Sequence, residues 1–205
     1  MRELVAWLAH GDQNAHVVVR AAMAHLHTVS IHPFRDGNGR ISRIIQSLVL
    51  AQGGLLSPEF QSIEEYLAGH APEYYAVLQR VQGGSYQPER DATPWVRFCI
   101  EAHIEQAQRR IAQVEEAAAR WRLLEEIAES RRWPDRLVIA LEQSLIGGTD
   151  RSSYEQEAGI SSATASNDFR RLTDAGLIVQ VGRTRNTRYI ASDSLRARVR
   201  AAVGA

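Results

Sequence analysis

The chain contains no lysine. All 24 of its basic residues are arginine, which excludes any mechanism that turns on a lysine amine, a Walker-type phosphate loop included. Cysteine is nearly missing too. The single Cys99 cannot close an internal disulfide, and its place in the apolar run WVRFCI reads as a buried core thiol in a reducing cytoplasm. No apolar stretch approaches the ~20 residues of a membrane span. The opening MRELVAWLAHGDQ carries acidic residues and is too short in apolar length for a signal peptide. The reading is therefore of a cytoplasmic protein with no membrane partner. Net charge is also lacking, with 24 acidic residues against the 24 arginines, so no overall field points to nucleic acid. What is present is an ordinary globular composition. The 205 residues, 44% of them hydrophobic, suffice for one domain of usual size and a small second one.

The first two thirds read as helices. Helical spacing predicts one over 14–29 with Asn14 as its cap, and another over 40–52 that stops at Gly53-Gly54. A third covers 58–82 with a break near Gly69–Pro72, and 82–94 is a loop dense in turn formers. From 95 to 132 the pattern is helical again. Its part from 105 onward, rich in Glu, Arg, Gln and Ala, suits a connector or a helix-pair surface. After Pro134 the order is helix, short helix, Ser-capped helix and two β-like runs, LIVQVG and TRYIAS, around RTRN. That is the order of a winged helix-turn-helix. The expected class is mainly α, a helical bundle followed by a small winged domain with a short β-hairpin. The expected divisions are 1–104, a connector over 105–133, and 134–205.

One stretch has chemistry that a packed core does not need: SIHPFRDGNGRISR, residues 30–43. Pro33 cannot continue a helix, so His32 stands where the chain breaks. Phe34 is expected to turn inward as an anchor. Gly37 and Gly39 permit backbone conformations closed to other residues, so that several N–H groups can converge on one anion. The following helix adds its free N–H groups and positive dipole end. Arg40 and Arg43, three apart, share a helix face that matches a chain of phosphates. Asp36 would repel phosphate by itself and makes sense as a Mg²⁺ ligand. His32 is the group that titrates near neutrality, placed to take a proton from an attacking hydroxyl. Taken alone, D-G-N-G is an ordinary turn. The combination is not ordinary.

His32, Phe34, Asp36, Gly37, Asn38, Gly39, Arg40 and Arg43 reproduce without substitution the signature H-x-F-x-[DE]-G-N-G-R-x-x-R, and the chain resembles the Fic family. LVAWL and AHLHTVSIHPF are similar to the family's helices ahead of the loop, with His25 at a recurrent histidine position and Thr28 where an aromatic is usual. EYYAVLQRVQGG is similar to the segment that closes over the base, and GRTRNTRYIAS resembles the C-terminal domain of many bacterial members. The resemblance implies a Fic-type helical bundle and Mg²⁺-dependent transfer of AMP from ATP to a Tyr, Ser or Thr hydroxyl of a protein. In that reading His32 is the base and Asp36 holds Mg²⁺. Asn38 and the Gly37 and Gly39 amides form the anion hole, and Arg40 and Arg43 bind the outer phosphates. Tyr75 and Gln82 contact adenine or ribose, while Tyr74 is core. A zinc site from His25, His27 and His32 is set aside, because residues two apart on a helix face different sides and catalytic zinc needs three convergent ligands.

Two family features find no match. The self-inhibitory pattern [ST]-x-x-x-E-[GN], whose glutamate pairs with the second motif arginine, is approached only at Ser153–Glu157, where Ala158 breaks it. The flap that docks the target is not seen upstream of LVAWL. The expectation is of the C-terminal part of a longer protein, released from autoinhibition and with Arg43 unpartnered. Alternatives stay open: transfer of UMP, phosphate or phosphocholine, removal of AMP, or a DNA-binding regulator. A regulator would use Ser162, Thr164, Asn167, Arg170 and Arg171 with Arg183, Arg185 and Arg188 of the wing. Residues 135–205 carry ten basic and eight acidic side chains, a net of +2 and weak for nucleic acid. The winged domain suits a homodimer contact or target docking equally well.

Overall fold

A computed structural model describes residues 1–55, 63–182 and 187–204. They form two compact units, Met1–Ile111 and Ala112–Ala205. The expected start of a helix at 58 and the wing arginines Arg183 and Arg185 lie outside the described residues.

The first unit is built around a helix with small residues on two sides. Helix α1 (Arg2–His10) leads to α2 (Val17–Ile31). The start of α2 is set by His16, whose Nδ1 accepts from the Val18 N–H at 3.3 Å, and not by Asn14 as expected. Ala21, Ala22 and Ala24 are fully buried, and their small side chains let α3 (Asn38–Gln52) lie along α2. Ala21 and Ala24 meet Val49 and Leu50 on one side. Ala22 and Leu26 face a second cluster on α4 (Glu64–Gly69), α5 (Ala71–Gln82) and the first part of α6 (Thr93–Ser130). Trp95, fully buried, donates its indole N–H to the Ala22 carbonyl at 2.7 Å. Cys99 is a buried free thiol, as its apolar setting predicted.

In the second unit the end of α6 joins α7 (Arg136–Ile146), α8 (Arg151–Ala158), α9 (Ser162–Asp174), β1 (Ile178–Val181), β2 (Arg188–Ala191) and α10 (Asp193–Val203). Asp150 caps α8 and Ser161 caps α9 through their side-chain oxygens, the residue types that helix starts favour. The strands pair antiparallel, Ile178 opposite Ala191 and Val181 opposite Arg188. The core gathers Leu124, Leu137, Leu141, Tyr154, Phe169, Leu172, Ile178 and Leu195. Helix α10 was not expected. Ser192 caps it by accepting from the Leu195 N–H, and Leu195 fills the core. The class is mainly α with one short hairpin. Among the described residues no helix is long and apolar enough to cross a membrane.

Candidate active site

Proline has no N–H and disfavours the α region for the residue before it. Helix α2 accordingly ends at Ile31, and His32 takes left-handed φ 50°, ψ 56°, a conformation costing roughly 1–2 kcal/mol for a residue with a Cβ. Its own N–H still reaches the Thr28 carbonyl at 3.2 Å. The ring is exposed, with Nδ1 3.3 Å from the Val29 carbonyl. With Nδ1 donating there, Nε2 carries the lone pair that can accept a proton.

The loop from Pro33 to Gly37 is held by Asn38. Its Oδ1 accepts from the Phe34 N–H at 3.0 Å and its Nδ2 donates to the Phe34 carbonyl at 2.6 Å. Both ends of the buried carboxamide are thus engaged, and the expectation for Phe34 is corrected. Asn38 can serve an anion through its backbone N–H, while its side chain is a clamp. Phe34 does not turn inward as an anchor: the ring is 46% exposed, because the backbone clamp fixes the loop without it.

Gly37 precedes α3 at φ +83°, which a side chain would strain. The Asp36 carboxylate accepts from its N–H at 2.6 Å. The first bond of α3 runs from the Ile41 N–H to the Gly37 carbonyl, and no side chain caps the helix. The N–H groups of Asn38, Gly39 and Arg40 therefore point out of the helix start without a helical acceptor. Both guanidinium groups lie over this turn. A Cβ on Gly37 would stand 3.7 Å from Arg40 Nη2, and one on Gly39 would stand 3.5 Å from Arg43 Nη1. The result is a cradle of amides and two cations beside a histidine, suited to an extended phosphate chain.

Carboxylates already reach those cations. Asp36 lies 3.5 Å from Arg40, with both side chains mostly exposed. Glu64 at the start of α4 accepts from Arg43 Nε at 3.0 Å. This corrects the expectation that Arg43 has no carboxylate partner. Sequence spacing could not reveal a contact that the fold makes across 21 residues. The Asp36 carboxylate fits the implied Mg²⁺, which needs only one or two protein carboxylates when phosphates supply other oxygens. Among the described residues no group of three His, Cys, Asp or Glu side chains could hold a metal by itself.

Behind the cradle lies a polar network of which the sequence pointed only to His25 and to Tyr74, read there as core and buried here. His25 Nδ1 meets Gln46 Oε1 at 2.7 Å, its Nε2 meets the Tyr74 hydroxyl at 3.1 Å, and Gln46 Nε2 meets His103 Nε2 at 3.1 Å. One consistent proton assignment has His25 donating to Gln46, accepting from Tyr74, and remaining neutral. Burial lowers the His25 pKa to about 4 and raises that of Tyr74 to about 12. The network ties α2, α3, α5 and α6 together beneath the loop. Tyr75, on α5, is 67% exposed, while Gln82 Nε2 donates to the end of α2 at Ser30 and Leu26. His27 packs edge-on against Trp7, on another side of α2 from His25.

A histidine near an open, arginine-lined helix start is an arrangement suited to a phosphorylated ligand. Residues 1–50, which contain it, match the family model described as Fic/DOC family. A probable protein adenylyltransferase of Aquifex aeolicus is 37% identical over 68 residues, covering 33% of this chain and 21% of that protein. The protein adenylyltransferase Fic of Aedes aegypti is 40% identical over 83 residues, 40% of this chain and 14% of that protein. A Caenorhabditis elegans protein adenylyltransferase is 33% identical over 101 residues, 48% of this chain and 17% of that protein. The matched segments thus span about a fifth or less of these relatives.

Proposed function

We propose that this site transfers AMP from ATP to a Tyr, Ser or Thr hydroxyl of a protein. The observation that carries the reading is the juxtaposition, within the twelve residues from His32 to Arg43, of a histidine and the amide and arginine cradle at the start of α3. In the reaction the hydroxyl oxygen forms a bond to the α-phosphorus. The bond from that phosphorus to the bridging oxygen breaks, pyrophosphate leaves, and His32 Nε2 takes the hydroxyl proton. The Asn38, Gly39 and Arg40 amides and the two guanidinium groups hold the phosphates in line and meet their charge. Asp36 would hold Mg²⁺, which neutralises phosphate charge when bound. Tyr75, exposed on α5, is offered as the surface against the base. The cytoplasm supplies ATP and fits the single buried thiol.

The test is incubation of the chain with Mg²⁺, candidate proteins and ATP labelled on its α-phosphate. Label should appear on protein and pyrophosphate in solution, and His32→Ala should lose both. Equal labelling by that variant overturns the reading. Label from the γ-phosphate instead would assign kinase-type transfer. A second reading, DNA contact by α9, draws on its exposed Asn167, Arg170 and Arg171. It predicts retention on duplex DNA that weakens steeply with salt, and Arg170→Ala with Arg171→Ala should abolish that retention.

A further inference from the structure

The chain carries opposite chemistry on the two sides of His32. After it comes the cationic cradle. Before it, Ile31 lines a cavity of about 320 Å³ between the start of α1, the end of α2 and the loop after α5. Three rings wall this cavity, Trp7, His27 and Tyr86, with Leu4 and Ile31 as apolar surface and Glu3 as an acidic side chain. The rings stand in crossed planes. His27 meets Trp7 at 78° with centroids 4.9 Å apart, and Tyr86 at 70° and 6.0 Å. The Trp7 indole is fixed in place. Its N–H donates to Asp12 at 2.9 Å, and Gly11 lies so close that a Cβ there would collide with the ring. Burial holds the His27 pKa below its usual value, so at neutral pH that ring brings no positive charge. Tyr86 is 45% exposed, which leaves its ring within reach of a ligand. No step of the proposed transfer uses these side chains.

We propose that this cavity takes an arginine or lysine side chain of the protein that accepts AMP, and so selects acceptors with a basic residue near the modified hydroxyl. Such a side chain has an apolar stem and a cationic head. Leu4 and Ile31 suit the stem. The faces of tryptophan and tyrosine attract a cation through the ring quadrupole, and the Glu3 carboxylate can pair with it. Among the described residues no arginine lines the cavity, so no guanidinium there opposes a cation. Nucleotide phosphates, by contrast, are repelled by Glu3 and by Asp12 on the Trp7 indole. The volume stands at the lower end of small-ligand pockets, which suits one side chain and not a folded surface. The position next to His32 gives the contact its use, because an acceptor held there has its hydroxyl near the base. The acceptor role rests on the adenylyl-transfer reading; the binding of a cation does not.

Binding is tested first, without ATP. N-acetyl-arginine amide titrated into the chain should shift the Trp7 indole resonance, and N-acetyl-citrulline amide, its neutral analogue, should not. Glu3→Gln and Tyr86→Leu, both at exposed positions, should keep the native circular dichroism and weaken arginine binding about two- to fivefold each. Transfer is tested next, with Mg²⁺, α-labelled ATP and tyrosine peptides that carry one arginine at successive positions. At particular placements the arginine peptide should be labelled several-fold faster than its citrulline counterpart. Glu3→Gln should reduce that preference and label the citrulline peptides at the native rate. An equal shift with the citrulline amide, a shift with adenosine but not with the arginine amide, or a preference undiminished by Glu3→Gln each overturn the proposal. Equal labelling of all peptides overturns it too and leaves the transfer reading intact. Arginine binding with no labelling of any peptide would overturn the transfer reading, and with it the acceptor role, while the cation site stands.

Discussion

Two arginine–carboxylate pairs, one in each unit, show how the same chemistry serves opposite ends. In the second unit Arg136 grips Asp168 through two bonds of 2.7 and 3.2 Å, and Tyr154 donates its hydroxyl to the same carboxylate at 3.1 Å. The Asp168 side chain is 4% exposed. The bond to Asp168 holds the Arg136 pKa above its usual value, and burial, then Asp168, pushes up that of Tyr154. Such a pair joins α7, α8 and α9 for good, because removing one member strands the others away from water. In the first unit Arg43 meets Glu64 through a single bond with the carboxylate 59% exposed, and Arg40 and Asp36 are more open still. Exposed pairs contribute little to stability. They keep cations in place while leaving them available to a better anion. The difference is one of solvent access more than of residue type.

The most damaging change on the catalytic side is His32→Ala. It should lower the rate of label transfer about 10²–10⁴-fold while leaving the melting temperature unchanged, as befits an exposed ring. A variant that retains its rate would show that the two regions do not differ as described. Next, Asp168→Ala should reduce the free energy of denaturant unfolding by about 3 kcal/mol. The same change at Asp36 should shift it by less than about 0.5 kcal/mol, so equal losses would erase the contrast.

The pH dependence comes third. The folded pKa of His25, lowered by burial to about 4, lies below its unfolded value near 6.5. As pH falls the unfolded chain takes up the proton first. Stability present above pH 6.5 is therefore lost progressively toward pH 4, by roughly 3 kcal/mol from this one group. His27 and His103, also lowered chiefly by burial, act in the same sense. Urea midpoints measured between pH 7 and 4 should fall more gently for His25→Gln than for the native chain. Smallest is Glu64→Gln, which releases Arg43. ATP should bind a few-fold more tightly by calorimetry, in keeping with the ~0.2–1 kcal/mol of an exposed pair.

Much of the site was legible because its constraints are local. Pro33 ends α2, Gly37 supports the left-handed entry to α3, and the three-residue spacing of Arg40 and Arg43 places both on one turn. The Gly69–Pro72 break between α4 and α5 and the hairpin over β1 and β2 were legible for the same reason. Phe34 misled because an aromatic side chain is normally buried, and nothing local announces that Asn38 holds its backbone instead. Helix α10 was overlooked although Leu195, Val199 and Val203 stand four apart in SLRARVRAAV, and what anchors it is Leu195 entering a core made by distant elements. Asn14 yielded to His16 because several polar residues there can cap a helix, and packing chooses among them.

By itself the sequence determined the chemical inventory of the loop and its local shape, since proline, glycine and helical spacing act within a few residues of where they stand. The tertiary structure decided how those groups are poised. It brought Glu64 to Arg43, and it left His25 neutral among Gln46, Tyr74 and His103, through contacts spanning 21, 49 and 57 residues. Burial and long-range pairing govern charge and protonation, and both belong to the folded chain.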